Sequence, residues 1–191
     1  MSKTTNPIEA ITAHHSSPGE QYFPVFKVNA ALTKEAERLV ALYPEGKEQS
    51  AVLPIIHLVQ GKFGYISAAA MEWIAEMSKS SRVHVAGVVS FYPGIHQKCP
   101  GKFHIRVCRT IACALNGGDE LFTYICKTTG INQSDITDDE AVAISPDGLW
   151  SIEAVECLAN CGFGPNLMVN EKLYSQVSFE KVDEIVAEYS I

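Results

Sequence analysis

The sequence predicts an α+β (or α/β) chain in two parts, a small helical bundle followed by a mixed sheet with helices packed on it. Three observations carry this. Apolar residues between Thr33 and Phe91 recur at helical spacing. The stretch YPGIHQKCPGK, 92–102, packs two Pro and two Gly into eleven residues and marks a boundary. Beyond it, short β-branched runs alternate with helical segments, in the order β-α-β-β-β-β-α, which builds a sheet covered by helices. The layout is therefore a mobile tail over 1–32, a bundle over 33–91, a linker over 92–102 and a second domain over 103–191.

The tail, most plainly Met1 to Gln21, is rich in Ser, Thr, His and Pro without sustained periodicity; its His14–His15 pair reads as solvated. TKEAERLVALYP opens on Thr33 as a helix cap and stops before Pro44. SAVLPIIHLVQG runs from Ser50 to Gly61, with Pro54 in the first turn, where a missing N–H loses little. SAAAMEWIAEMSK starts at Ser67 and lines up Ala70, Trp73, Ile74 and Met77 on one face. The valines of SRVHVAGVVSFY favour a strand, but Ser80 or Ser81 offers a cap and the segment is assigned as helix. His57 and His84, inside apolar runs, read as packed histidines rather than ligands.

In the second part FHIRVC is a strand, and NGGDELFTYICKTTG is a helix capped by Asn116 and closed by Gly130. AVAISPDGLWSIEAVEC forms two strands around Pro146, Asp147 and Gly148; NLMVNEKLYSQV forms a second hairpin turning at Asn170, Glu171 and Lys172. SFEKVDEIVAEYS closes the chain as a helix with Val182, Ile185, Val186 and Tyr189 on one stripe.

The 191 residues carry a net charge of −7, unevenly divided: residues 1–100 hold nine basic and eight acidic side chains, residues 101–191 hold six and fourteen. An acidic half repels a phosphate backbone, so no nucleic-acid partner is expected. No apolar run approaches the roughly 18 to 20 residues that span a bilayer, and no secretory or transit signal opens the chain, which implies a cytoplasmic protein. In that reducing compartment the six cysteines point to metal or redox chemistry rather than disulfides.

Four of them form two pairs, Cys108 with Cys113 (C-x4-C) and Cys157 with Cys161 (C-x3-C), with 43 residues between the pairs. Cys108 ends a predicted strand and Cys113 sits in the loop before the helix. Cys157 ends another strand, and Gly162, Gly164 and Pro165 keep the segment of Cys161 from becoming helical, so both pairs can meet at one end of the sheet. Thiolates are the soft ligands that iron and zinc prefer, and four satisfy one tetrahedral zinc or the two irons of a 2Fe-2S cluster. Structural zinc knuckles commonly leave two residues between paired cysteines, so x4 and x3 tilt the balance toward the cluster. A dithiol-exchange site wants Cys-x-x-Cys, which is absent. Such a cluster needs donors. The small residues Ala112, Ala114, Ala159, Gly162 and Gly164 let backbone N–H groups reach sulfur, and Arg109 either adds a positive charge or is simply exposed. Cys99 is expected to be exposed in the linker and Cys126 to be a small core residue.

With these residues in view the chain resembles the thioredoxin-like 2Fe-2S subunit of respiratory NADH:quinone oxidoreductase, the NuoE type of complex I. The resemblance lies in C-x4-C, in C-x3-C followed by GFGP, and in VVSFYPGI before the second domain, where the family form more usually ends in Thr-Met-Phe. It implies a helical bundle joined to a thioredoxin-like domain, one 2Fe-2S cluster on Cys108, Cys113, Cys157 and Cys161, and electron transfer beside a larger flavoprotein that binds FMN and NADH. Further peripheral-arm subunits would complete the assembly, which holds the chain at the cytoplasmic face of the membrane without inserting it. The chain has neither G-x-G-x-x-G nor a Walker A motif and is not expected to oxidise NADH alone or to bind FMN itself. Similar subunits serve NAD-dependent formate dehydrogenases and NAD-reducing hydrogenases, and a structural zinc module on the same four cysteines is the remaining alternative.

Overall fold

Serine and asparagine caps decide where three helices of the first half begin. A computed structural model describes residues 17–137 and 141–190; the His14–His15 pair lies outside them. Helix α1 (Ala30–Val40) starts one turn before Thr33, because the side chain of Asn29 accepts from Leu32 N–H at 2.9 Å and leaves Thr33 inside the first turn. Helix α2 (Val52–Phe63) follows a 3-10 turn at Glu48–Ala51 and ends on Gly64, whose φ of 81° is the left-handed region glycine tolerates. Ser67 caps α3 (Ala68–Met77), and Ser81 caps α4 (Arg82–Phe91) by accepting from His84 N–H at 3.1 Å. The valine-rich segment is thus a helix, as expected, with Val85 and Val89 one turn apart and buried.

The four helices bury Leu32, Ala36, Ile55, Ile56, Val59, Ile74 and Val85 in one core. His57 and His84 are exposed, contrary to the reading of packed histidines, because the valines and isoleucines beside them define the inward stripe and leave both rings on the outward face.

The second half holds β1 (Phe103–Cys108), α5 (Ile111–Leu115), α6 (Gly118–Thr129), β2 (Val142–Ile144), β3 (Trp150–Val155), β4 (Leu167–Val169), β5 (Lys172–Tyr174) and α7 (Phe179–Tyr189). The sheet order is β2-β3-β1-β4-β5. β1 runs parallel to β3, with Cys108 opposite Val155, and antiparallel to β4. The two outer pairs are the hairpins expected at Pro146–Gly148 and Asn170–Lys172. Side chains alternate along each strand. Ile105, Val107, Ile152, Leu167 and Val169 join Leu121 and Ile125 of α6 and Val182 and Ile185 of α7 in a second core, which includes Cys126 as the sequence suggested. His104, Ser151 and Glu153 alternate with that apolar set along β1 and β3 and are themselves buried. A helical bundle followed by a mixed sheet with packed helices is the expected thioredoxin-like architecture.

Residues 17–22 are not free of the rest of the chain. Pro18–Tyr22 is a 3-10 helix whose Gln21 Nε2 donates to Asp147 O at 2.7 Å, while Ser17 Oγ donates to Cys99 O at 2.6 Å. Gly148, at φ 69°, leaves no room for a side chain: a Cβ there would lie 2.1 Å from Pro18 O. This packing explains why Cys99 is 1% exposed rather than on the surface as expected for a linker residue. Burial, then the charge of Glu20, pushes its thiol up to about 12. Among the described residues no helix is long and apolar enough to cross a membrane.

Candidate metal centre

Cys108 closes β1 at the sheet end where β3 also finishes. Its N–H donates to Asn166 O at 3.1 Å, the next residue's N–H donates to Val155 O at 3.0 Å, and its thiol faces Glu156 O at 3.2 Å and Thr110 Oγ1 at 3.2 Å. Burial disfavours a thiolate here, but the hydroxyl and N–H of Thr110, the N–H of Leu158 and the neighbouring Cys113 thiol together hold Cys108 below the usual thiol range.

Cys113 lies in the single turn of α5 rather than in an open loop, because Thr110 O accepts from the N–H groups of Cys113 and Ala114 at 2.9 and 3.0 Å. Asn116 does not cap α6. Its amide donates instead to Ala112 O at 2.6 Å and closes α5, so α6 begins at Gly118 after Gly117 turns at φ 88°. A Cβ on Gly118 would sit 2.9 Å from Cys113 O, and only glycine lets α6 start this close to the cysteine turn. The Cys113 thiol is raised by burial and by its contact with Cys108, against donation from the backbone and side chain of Asn166.

Beyond β3 the chain leaves the sheet at Val155, so Cys157 lies two residues past the strand rather than at its end. Ala159 adopts φ 57°, which turns its N–H back onto Cys157 Sγ at 3.3 Å. Cys161 opens a 3-10 turn, Cys161–Phe163, instead of a plain loop; Gly164 and Pro165 end it after one turn. The charge of the neighbouring Cys157 thiol raises the Cys161 thiol most, and the charge of Cys108 also contributes. A Cβ on Gly164 would stand 3.5 Å from Cys113 Sγ, which places the Cys161 loop directly on the Cys113 turn.

The Cys108–Cys113 turn and the Cys157–Cys161 loop therefore come together at one end of the sheet, with Cys108 and Cys113 buried and Cys157 and Cys161 exposed. All are free thiols. Among the described residues no three His, Cys, Asp or Glu side chains are arranged around a single ion position. The donor set suits a sulfur-rich, two-centre group: paired thiols, with N–H groups already pointing at sulfur. Around them Ile111, Leu115 and Phe163 stand 78%, 83% and 57% exposed. Arg109 is outside the sulfur shell and pairs with Glu156 at 2.6 Å.

A family model described as thioredoxin-like 2Fe-2S ferredoxin matches residues 36–190. The chain belongs to that family. Among curated relatives of this ferredoxin-like chain, NADH-quinone oxidoreductase subunit 2 of Thermus thermophilus is 36% identical over 138 residues, 72% of each chain. The E-type NADH-quinone oxidoreductase chain of Rickettsia felis is 31% identical over 156 residues, 81% of this chain and 89% of its own. A solved structure of an NAD+-reducing NiFe-hydrogenase aligns with a TM-score of 0.63 at 14% identity, over 78% of this chain and 24% of that one. This last likeness is one of fold, and the chain spans about a quarter of the hydrogenase chain.

Sequence reasoning missed Asn166, the best-buried polar side chain of this family member's site, together with Asn160, Thr110 and the N–H of Leu158. The signal that could have found it was an asparagine opening the apolar run NLMV directly after GFGP.

Proposed function

We propose that the chain is an electron-transfer subunit of an NADH:quinone oxidoreductase, holding one 2Fe-2S cluster through Cys108, Cys113, Cys157 and Cys161. The observation that carries this is the approach of the Cys161 loop to the Cys113 turn at the sheet end where Cys108 closes β1, which brings the two cysteine motifs together. Two irons take two thiolates each, whereas a zinc tetrahedron draws all four toward one point. The relatives named as parts of NADH-quinone oxidoreductase support the assembly.

When bound, the cluster supplies a one-electron couple. The residues supply everything else. Ala159 N–H on Cys157, and the donors from Thr110, Leu158 and Asn166 on the buried pair, offset negative charge on sulfur without bringing in a cation. The buried pair shields one side, while Cys157 and Cys161 stay at the surface, where an electron enters or leaves over a short distance. The exposed Ile111, Leu115 and Phe163 ring that surface and suit contact with a larger flavoprotein carrying FMN and NADH. Division of the chain into a bundle that opens with α1 and a cluster domain over 103–191 belongs to the same reading.

Anaerobic purification with iron, zinc and acid-labile sulfide assays tests it. Equal iron and sulfide, two of each per chain, is expected; one zinc with no sulfide contradicts it.

A further inference from the structure

Asn166 is 0% exposed, at the head of β4, where its neighbours Leu167 and Val169 enter the apolar core. An amide buried there is unfavourable unless its hydrogen bonds are met, and an apolar side chain would fill the space without that demand. Every polar atom of Asn166 is engaged with a cysteine or with the loop that carries one. Nδ2 donates to Asn160 O at 2.8 Å and to Cys113 Sγ at 3.5 Å. Oδ1 accepts from Asn160 Nδ2 at 2.9 Å. The backbone carbonyl accepts from Cys108 N–H at 3.1 Å. Asn160 is held in turn by Ser175 Oγ, to which its Nδ2 donates at 2.7 Å. The Asn160 carbonyl can only accept, so it fixes which end of the Asn166 amide is the donor and hence which end faces sulfur.

We propose that Asn166 is a positioning residue of the cysteine site, locking the Cys161 loop onto the Cys113 turn and raising the reduction potential through its donation to Cys113 sulfur. The inference rests on the reading that the four cysteines hold a 2Fe-2S cluster. Two ferric ions, two sulfides and four thiolates sum to minus two, and one-electron reduction makes this minus three. A donor fixed on sulfur interacts more strongly with the more negative state, so it favours the reduced form. A buried donor does this better than a surface one, because no water competes for the sulfur.

The test has three arms on the cluster-loaded, full-length protein. Iron and acid-labile sulfide assays of the wild type come first, and absence of sulfide defeats the cluster reading itself. In the second arm, wild type labelled only at the asparagine side-chain nitrogen is reduced and examined by pulsed EPR. A nitrogen hyperfine coupling is expected, and its absence in a cluster-bearing protein overturns the role of Asn166. In the third, Asn166→Leu is titrated. The reduction equilibrium is expected to shift about tenfold toward the oxidised form, equivalent to ~59 mV for one electron, with the nitrogen coupling lost. An unchanged potential, or a coupling that persists, overturns the proposal. If Asn166→Leu retains no cluster, Asn166→Ala is titrated and examined in its place, with the same expected and overturning results.

Discussion

The imidazole of His96 packs edge-on against that of His104, with ring centroids 4.8 Å apart. Their backbones belong to different halves: His96 N–H donates to Gln60 Oε1 of α2 at 2.8 Å, whereas His104 lies in β1. His104 in turn meets Ser151 Oγ at 2.8 Å and Glu153 Oε2 at 3.2 Å, and Arg106 lies on the same strand.

This contact predicts acid sensitivity. Burial first, then His104 and Arg106, lower His96 to about 4 from 6.5, with Glu153 working the other way. Above pH 6.5 both folded and unfolded chains are neutral at this residue, so its contribution is intact. Between 6.5 and about 4 only the unfolded chain takes up the proton, and stability falls as pH falls. The loss by pH 5 is about 2 kcal/mol. Urea unfolding of wild type and His96→Gln at pH 7 and pH 5 checks it: the variant loses less over that interval. Equal losses would remove His96 from the account.

A second prediction separates the cysteines. Cys161→Ser weakens or shifts the visible absorption of the purified protein, whereas Cys99→Ser and Cys126→Ser leave it unchanged. Burial pushes the Cys99 and Cys126 thiols up to about 12 and about 11, so both should also be the slowest to alkylate once metal is stripped by chelator. Mass mapping after timed alkylation reads the order. Early modification of Cys99 would mean that the Pro18–Tyr22 segment does not cover it.

That cover has its own test. Gly148→Ala puts a methyl group against Pro18 O at a left-handed φ, and it should destabilise the protein by about 1 to 3 kcal/mol. Limited proteolysis is expected to cut the variant faster near Gln21. Wild-type cleavage rates would show that residues 17–22 sit there without holding anything.

The exposed rim is predicted to matter for association and not for folding. Ile111→Ser and Leu115→Ser replace side chains that bury little within the chain, so thermal stability should move by less than about 0.5 kcal/mol. Affinity for the proposed flavoprotein partner should fall about tenfold for each, as when a contact worth ~1.4 kcal/mol is removed. Calorimetric titration distinguishes the outcomes, and unaltered affinity in both variants would move the docking surface elsewhere.

What was legible in the sequence was what local chemistry decides. Ser67 and Ser81 as caps, the Pro146–Gly148 turn and the stripe of Val182 and Ile185 each need only a few neighbouring residues. The misses are tertiary. Cys99 is buried by residues some eighty positions earlier, and His96 and His104, not His57 and His84, are the packed histidines because the linker folds back over the sheet. Asn116 looked like an N-cap. It closes the preceding turn instead, since Gly117 and Gly118 let α6 begin without a side-chain cap. Asn166 was invisible because its value lies in a sulfur 53 residues away along the chain.

Quantitative EPR of the anaerobically reduced protein tests the central claim most directly. Two irons bridged by sulfide and held by two thiolates each give, after one electron, a coupled spin-half centre that integrates to one spin per chain. A chain that binds metal but yields no such signal on reduction, or yields the isotropic signal of isolated ferric iron before it, would contradict the assignment of Cys108, Cys113, Cys157 and Cys161 to a single 2Fe-2S cluster.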